Sequence, residues 1–212
     1  MKIVGVTGSI GMGKSTVAAA LRKNGAAVWN ADHIVHKLLG PGGAAVKQIS
    51  EYFGNEILTG PFGEERINRE LLGKKVFNNS EDLQTLEKII HPLIRYQERK
   101  FLMSAKFRGY SLSILDIPLL FETERHKRCD AIIVVTAPHF VQKARVLSRP
   151  GMTSEKFDGI VSRQMSDKEK KRRADFIINT GLNKSSIYSG VKVIMKKLQN
   201  LPIKNWPNSW PV

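Results

Sequence analysis

Residues 8–15 read Gly8-Ser9-Ile10-Gly11-Met12-Gly13-Lys14-Ser15 and fit the pattern G-x-x-x-x-G-K-[ST]. The residues before this stretch, Lys2–Thr7, are mostly apolar and are typical of a buried strand. The residues after it, Thr16–Lys23, are rich in helix formers, and Asn24-Gly25 ends the run. Strand, glycine-rich loop and helix form the context in which this pattern binds phosphate. A plain glycine-rich turn before an ordinary helix is therefore the less favoured interpretation.

The loop predicts a binding site for the phosphates of a nucleotide. Glycines allow successive backbone N–H groups to point at phosphate oxygens, and the helix N-terminus adds a partial positive charge. We expect Lys14 to reach the β- and γ-phosphates and the Ser15 hydroxyl to ligate Mg²⁺. The wildcard position, Met12, should supply mainly its backbone N–H. The residues expected to bind ATP here are Gly8, Gly11, Met12, Gly13, Lys14, Ser15 and Thr16.

The composition excludes several classes of protein. The chain has 212 residues, of which 42% are hydrophobic and 25% charged, as in ordinary soluble proteins. One cysteine, Cys129, rules out an internal disulfide framework and suits a reducing compartment. No run approaches the roughly 18 apolar residues of a membrane helix, and a strand beginning at Lys2 leaves no room for a signal peptide. We expect a cytoplasmic protein without membrane association.

The net charge is +15, and the surplus is concentrated in residues 142–204. Such a field could attract nucleic acid or a polyanionic small molecule, or it could simply belong to a solvated basic surface. No recognisable nucleic-acid-binding motif accompanies the charge. The charge alone therefore does not choose among these three interpretations.

The pattern of elements predicts an α/β fold with an insertion. Strands are predicted at 26–30, 112–117, 131–136 and 175–179; the two middle runs are nearly continuous apolar stretches typical of a parallel sheet covered on both faces. Residues 40–108 instead predict helices, the last capped by Ser80 and either kinked at Pro92 or restarted after His91. The predicted organisation is a core (1–39, 109–148 and 174–200), a helical substrate-binding insertion (40–108), a lid (149–173) and a tail (201–212).

Two aspartates follow predicted strands at the edge where open α/β sheets bind ligands. Phosphoryl transfer needs a carboxylate that orients the acceptor hydroxyl, and Asp32 is the candidate. The alternative is that Asp32 caps a helix beginning near His33, and both roles can hold together. Asp116 is a candidate for Mg²⁺ binding, directly or through a bound water, with capping of the following Leu119-Leu120 turn as the alternative.

Basic residues near the predicted lid are candidates for closing over the transferring phosphate. Arg145 and Arg149 lie four residues apart, on one face of a predicted helix that runs into Pro150-Gly151. A solvated basic helix face is the alternative. The charged run 168–173 is predicted to be solvated surface. Asn179 and Gly181, after the fifth strand, are placed to border the adenine of ATP, with a plain strand-to-helix turn as the alternative.

Several stretches together resemble the dephospho-coenzyme A kinase family. Leu115–Glu122, which contains D-I-P-L-L-F-E, is the most discriminating of them. The resemblance extends from Lys2 to about Leu198, with two departures: this chain has Asn30-Ala31-Asp32 where the family has D-A-D, and Met12 replaces the family's usual small residue. The other matching positions are Thr7–Ser15, Ile67-Asn68-Arg69 with Val76-Phe77, His91-Pro92, Gln142, Arg145, Arg149, Gln164 and Ala174–Asn179.

The resemblance implies a P-loop NTPase three-layer sandwich, with a five-stranded parallel sheet of strand order 2-3-1-4-5, a helical substrate-binding insertion and a small helical lid. It also implies Mg²⁺-dependent transfer of the γ-phosphate of ATP to the ribose 3′-hydroxyl of 3′-dephospho-CoA, the last step of coenzyme A synthesis. The implied acceptor-binding residues are Asp32, Arg69, His91, Arg95, Leu119 and Leu120. ATP and dephospho-CoA are the expected partners; no nucleic acid is expected, and a monomer is favoured.

Two other functions stay open at this point. One is a P-loop kinase for another small acceptor, such as a nucleoside monophosphate. The other is a non-enzymatic, nucleotide-regulated protein that binds RNA through its basic residues 142–204. No zinc site is expected, because one cysteine and five scattered histidines offer no ligand spacing.

Overall fold

The computed structural model describes residues 1–77 and 79–204, without the side chain of Phe77. The chain divides into two compact units. The first comprises Met1–Trp29 and residues 102–204, and the second is Asn30–Phe101 as far as the structure describes it. Most of the tryptophan- and proline-rich tail, for which irregular structure was expected, lies outside the described residues.

The chain begins with alternating strands and helices, whereas residues 31–107 and 139–172 contain successive helices. In chain order they are β1 (Lys2–Thr7), α1 (Lys14–Lys23), β2 (Ala27–Asn30), α2 (Ala31–Leu39), α3 (Val46–Phe53), β3 (Leu58–Thr59), β4 (Arg66–Ile67), α4 (Arg69–Phe77), α5 (Ser80–Phe107), β5 (Leu112–Asp116), β6 (Ala131–Thr136), α6 (His139–Leu147), α7 (Ser154–Ser162), α8 (Asp167–Arg172), β7 (Phe176–Asn179) and α9 (Lys184–Gln199).

A five-stranded parallel sheet forms the centre of the first unit, with strand order β2-β5-β1-β6-β7. The predicted α/β fold, its parallel sheet and its strand order are confirmed. Strand β1 lies in the middle, and every residue of β5 and β6 is buried, as their apolar sequences predict. Helices α1 and α9 pack against this sheet through Val17, Leu21, Val191 and Ile194. The loop after β1 therefore starts from a central strand that is buried from Ile3 to Thr7.

The second unit is mainly helical, as predicted, but it also contains a short antiparallel hairpin. Strands β3 and β4 pair Leu58 with Ile67 and Thr59 with Arg66. Each strand has only two residues, too few for an alternating pattern to be recognised in the sequence. Lys75 fastens α4 nearby, because its Nζ contacts Glu56 Oε1 at 2.6 Å and donates to the Phe53 carbonyl at 2.8 Å.

Asparagines cap two helices for which other caps were predicted. The Asn30 side chain accepts from the His33 N–H at 2.8 Å, so α2 begins at Ala31 and the predicted capping role of Asp32 is wrong. Likewise, Asn79 Oδ1 accepts from the N–H groups of residues 81 and 82 at 3.0 and 3.2 Å. Ser80 is thus the first helical residue rather than the cap. The observed cap lies two positions before Asp32 in the first case and one position before Ser80 in the second, and in both the asparagine side chain has the reach that an N-cap needs.

Helix α5 is the longest element, with 28 residues, and it runs through Pro92 without ending. The predicted alternative of a second helix starting after His91 is therefore wrong. Despite this length, none of the helices described in residues 1–77 and 79–204 combines the length and apolar character required to cross a bilayer.

The thiol of Cys129 is expected to resist alkylation in the folded protein. Burial raises its pKa to about 12, with a smaller contribution from the Asp130 carboxylate. Since the thiolate is the nucleophile, its population near neutral pH falls about a thousandfold relative to a free thiol. Iodoacetamide labelling followed by mass spectrometry should show slow modification in buffer and fast modification in denaturant. Comparable rates in the two conditions would contradict this assignment.

Candidate active site

The loop between β1 and α1 has a backbone that only glycine can supply at two positions. Gly11 and Gly13 have φ angles of 77° and 81°. A Cβ on Gly11 would lie 2.6 Å from a methyl group of Val146, and one on Gly13 would lie 2.9 Å from Thr180 Oγ1. The Met12 N–H closes a turn by donating to the Ser9 carbonyl at 3.2 Å. The loop is thus held in one conformation by its surroundings.

The N-terminus of α1 has the features of an anion-binding site. Gly13 occupies the cap position, and among the described residues no side chain accepts from this end of the helix. Ser15 is exposed in the first turn. Lys14 Nζ donates to the Gly8 carbonyl at 3.0 Å, so its ammonium lies across the loop. A helix N-terminus with a lysine ammonium beside it favours a phosphate.

Met12 contributes more than the backbone N–H expected of it. Its side chain is buried in the core of the first unit. The Met12 sulfur accepts from the Ala137 N–H at 3.0 Å, and its carbonyl accepts from Thr180 Oγ1 at 2.7 Å. These contacts were not expected from the sequence. They connect residues more than 120 positions apart and therefore cannot be inferred from the residues next to Met12.

Two glutamines without an assigned role both contact the loop at Ile10. Gln142 Nε2 donates to the Ile10 carbonyl at 2.8 Å, and Gln164 Oε1 accepts from the Ile10 N–H at 3.1 Å. Gln142 lies on α6 and is buried, whereas Gln164 follows α7 and is half-buried. Gln142 and Gln164, two positions at which the sequence resembles the family, therefore form hydrogen bonds with the same loop residue.

Arg145 lies beside the loop, and Arg149 does not share its helix. The Arg145 guanidinium donates to Thr180 Oγ1 at 2.9 Å and to the Thr180 carbonyl at 2.7 Å. One of its nitrogens would lie 3.4 Å from a Cβ on Gly13. Helix α6 ends at Leu147, so the prediction that both arginines occupy one helix face is wrong. The turn at Pro150-Gly151 begins earlier than predicted, and Arg149 is exposed beyond the helix end.

The segment after β7 forms a tight turn next to the loop. Asn179 Oδ1 accepts from the Gly181 N–H at 2.8 Å, and the Thr180 N–H donates to the Thr136 carbonyl at 2.8 Å. A Cβ on Gly181 would lie 2.2 Å from Pro138. These contacts explain why a glycine follows Thr180. The role of Asn179 and Gly181 in bordering adenine stays a prediction.

Residues 116–122 (D-I-P-L-L-F-E), at the end of β5, lie in different environments. Asp116 is buried at the last position of the strand and pairs in register with Val6 of β1. Leu119 is partly exposed, whereas Leu120 is fully buried and would be 2.6 Å from a Cβ on Gly5. Leu120 is therefore a core residue, and only Leu119 has surface to offer an acceptor.

In the second unit, Asp32 lies close in sequence to a histidine–arginine contact. Asp32 is exposed in the first turn of α2, and His36 follows one turn later. The Arg69 guanidinium lies 2.9 Å from His36 Nδ1 and 2.7 Å from His36 Nε2. His36 was not predicted, although its spacing of four residues from Asp32 places both on one helix face.

His91 and Arg95 line one cavity on α5. The cavity has a volume of about 310 Å³ and is also lined by Gln84, Glu87, Lys88 and Pro92. The structure therefore brings together His91 with Arg95, and His36 with Arg69, within the second unit. The side chains described above as contacting the loop, those of Gln142, Gln164, Arg145 and Thr180, belong to the first unit.

Comparison with known proteins identifies the family. A sequence model described as dephospho-CoA kinase matches residues 2–187. The chain belongs to the dephospho-CoA kinase family. A dephospho-CoA kinase from Bartonella henselae is 45% identical over 198 residues, covering 93% of this chain and 98% of that protein.

Solved structures agree with this assignment. TT1252 from Thermus thermophilus has a TM-score of 0.77 at 31% identity, covering 93% of this chain and 97% of the other. A dephospho-CoA kinase from Campylobacter jejuni has a TM-score of 0.61 at 26% identity, with coverage of 93% and 97%. The chain is thus a kinase that acts on an alcohol group and carries a nucleotide-binding P-loop fold.

One residue in the charged run 168–173 of this dephospho-CoA kinase family member is not solvated. Lys170 is fully buried, and its Nζ lies 3.0 Å from Oε1 of Glu122, the last residue of the D-I-P-L-L-F-E stretch. The prediction of a solvated surface is wrong at this position. Its neighbour Glu169 is partly exposed, and hydrogen bonds from Arg172 and Arg173 lower the pKa of its carboxyl to about 2.

Proposed function

We propose that this protein transfers the γ-phosphate of ATP to the ribose 3′-hydroxyl of 3′-dephospho-CoA, giving ADP and coenzyme A. The observation that carries the proposal is the match of residues 2–187 to the dephospho-CoA kinase family. The geometry of the Gly8–Ser15 loop supports it, because a glycine loop and a helix N-terminus suit the phosphates of ATP.

On the ATP side, the loop N–H groups and Lys14 would hold the β- and γ-phosphates. The Arg145 guanidinium uses two donors on Thr180 and retains others on the side of Gly13. Positive charge at this place stabilises the charge that spreads over the transferring phosphoryl group. Asn179 and Gly181 would border the adenine.

The oxygen donors near the loop fit a magnesium ion. Mg²⁺ prefers hard oxygen ligands and keeps several waters and phosphate oxygens in its shell. The exposed Ser15 hydroxyl and the buried Asp116 carboxylate are donors of that type. Over residues 1–77 and 79–204, the structure shows no group of three or more His, Cys, Asp or Glu side chains arranged to bind a metal ion. Bound with ATP, Mg²⁺ would neutralise negative charge on the phosphates.

On the acceptor side, Asp32 would accept a hydrogen bond from the 3′-hydroxyl and orient its oxygen toward the γ-phosphate. Arg69, His91 and Arg95 are proposed to bind the phosphates of dephospho-CoA, and Leu119 its less polar part. The contact between His36 and Arg69 would limit the orientations of that guanidinium. The net charge of +15 would favour two polyanionic substrates.

An acceptor panel tests the proposal. Purified protein with ATP and Mg²⁺ should phosphorylate dephospho-CoA, and phosphorus NMR of the product should show a new 3′-monophosphate. Adenosine and cytidine monophosphates should react at least about a hundredfold more slowly by kcat/KM, because they lack the groups that position the reacting hydroxyl. Faster turnover of a nucleoside monophosphate would favour the other kinase function. Retention on RNA at physiological salt, with no kinase activity, would favour the RNA-binding function.

A further inference from the structure

The most constrained part of the loop is Ile10, whose two backbone polar groups are both bound by side chains from other elements. Gln142 donates to its carbonyl at 2.8 Å, and Gln164 accepts from its N–H at 3.1 Å. Gln142 comes from α6, whereas Gln164 comes from the connection between α7 and α8. The two glutamines thus hold one loop residue between elements that are separate in sequence.

These two hydrogen bonds fix the orientation of both peptide groups around Ile10. In a planar trans peptide, the carbonyl and the N–H point in opposite directions. Binding of the Ile10 carbonyl by Gln142 therefore sets the direction of the Gly11 N–H. Binding of the Ile10 N–H by Gln164 sets the direction of the Ser9 carbonyl, which accepts from the Met12 N–H at 3.2 Å. The glutamines thereby control the orientation of the loop that binds phosphate.

A buried ion pair fixes the position of Gln164. Its neighbour Met165 donates its N–H to Glu122 Oε1 at 2.9 Å, and Lys170 Nζ lies 3.0 Å from the same oxygen. Burial alone would raise the pKa of Glu122, but backbone N–H donors and the Lys170 ammonium hold it below its usual value. Because Lys170 is fully buried, removal of this carboxylate would leave a buried ammonium without its counter-charge.

A second contact anchors the same segment to the sheet. Thr136 Oγ1, at the end of β6, donates to Asp167 Oδ2 at 2.8 Å, and Lys171 pairs with that carboxylate oxygen at 2.7 Å. The segment from Gln164 to Lys171 is therefore attached to the core at four positions. If the predicted lid moves, its moving part is restricted to residues 149–163.

We propose that Gln142 and Gln164 are positioning residues for the phosphate loop, and that the Glu122–Lys170 ion pair places Gln164. The proposal rests on the proposed function in that the loop binds ATP. It assigns a role to four residues that take no direct part in the proposed reaction. Their contribution should appear in ATP binding and leave acceptor binding unchanged.

The direction of each hydrogen bond provides the test. Replacing either glutamine by Glu removes the amide N–H donors, and the ionised carboxylate has acceptors only; the variants are therefore compared at a pH well above the range in which carboxyl groups titrate. Gln164→Glu keeps the acceptor for the Ile10 N–H, whereas Gln142→Glu replaces a donor by an oxygen that repels the Ile10 carbonyl. Relative to Gln164→Glu, Gln142→Glu should raise KM for ATP by about tenfold, with KM for the acceptor changed less than twofold. Gln199→Glu, on an exposed residue at the end of α9, is the matched charge control and should change neither KM.

Equal KM values for ATP in Gln142→Glu and Gln164→Glu would overturn the role of the two glutamines. The role would also be overturned if a variant changed KM for ATP and KM for the acceptor by the same factor. Calorimetric titration of each variant with ATP alone tests the loop independently of the acceptor. If the wild-type protein bound ATP but did not phosphorylate dephospho-CoA, the proposed function would fail while this inference could still be decided by the titration.

The ion pair is tested with a variant that buries no unpaired charge. Glu122→Gln alone leaves the Lys170 ammonium without its partner and risks a loss of folding. The double variant Glu122→Gln/Lys170→Met removes both charges and keeps an oxygen for the Met165 N–H. It should fold, with a circular dichroism spectrum like that of the wild type, and bind ATP about three- to tenfold more weakly. Wild-type ATP affinity in the folded double variant would show that the ion pair does not place Gln164.

Discussion

Asp32→Asn is expected to lower kcat by about 10²- to 10⁴-fold while the affinity for ATP stays nearly unchanged. The amide has almost the size of the carboxylate, but it cannot accept the proton of the acceptor hydroxyl. Because Asp32 is exposed and does not cap α2, its replacement should leave the melting temperature within about one degree of the wild type. Steady-state kinetics, ATP titration and thermal melts together check this result.

A substitution at the neighbouring Asn30 tests capping of α2 separately from the catalytic role proposed for Asp32. Asn30→Ala removes the acceptor for the His33 N–H and should cost about 1 kcal/mol of stability. It should lower the melting temperature while kcat changes only a few-fold. If instead Asn30→Ala lost activity and Asp32→Asn did not, the assignment of the catalytic carboxylate to Asp32 would be wrong.

Asn30 also departs from the family pattern, and restoring the acid gives a third comparison. Asn30→Asp keeps a good helix cap and should leave kcat within a few-fold of the wild type. In the double variant Asn30→Asp/Asp32→Asn, activity should stay as low as in Asp32→Asn alone. Recovery of activity in that double variant would show that an acid at position 30 performs the reaction.

The central sheet could be predicted because burial of a strand on both faces requires a run of consecutive apolar residues. A strand such as Ala131–Thr136 must be apolar along its whole length, so the run itself shows where the strand begins and ends. The phosphate loop was equally predictable, because its glycines and its flanking elements occupy consecutive positions. The order of the strands required the resemblance, since pairing between β1 and β5 joins residues more than 100 positions apart.

Contacts between distant side chains could not be read from the same sequence. A lysine within a charged run gives the same local signal whether it is solvated or paired with Glu122, and only the fold distinguishes the two. The same holds for the glutamines at Ile10 and for the buried side chain of Met12. The capping residues were missed for a different reason: Asn, Ser and Asp are all good caps, so a shift of one or two positions leaves the pattern acceptable.

Arg145→Met is expected to lower kcat/KM for ATP by about 10²- to 10³-fold. The wild-type guanidinium makes two hydrogen bonds to Thr180 and lies next to Gly13 of the loop proposed to bind the phosphates. Methionine fills a similar volume without the charge. Arg145→Lys should restore only a small part of the activity, because an ammonium cannot make the two-armed contact with Thr180 and face the phosphates at once.

Arg149 provides the comparison that decides how the positive charge acts. It is exposed beyond the end of α6, at the start of the predicted lid 149–173, and we expect it to act on the transferring phosphate through that segment. Arg149→Met should therefore lower kcat by about tenfold or more with little change in KM for ATP. Arg145→Met should instead raise KM for ATP as well. If Arg145→Met lowered only the melting temperature, its contact with Thr180 would be an anchor, and Arg149 would supply the charge that stabilises the transition state.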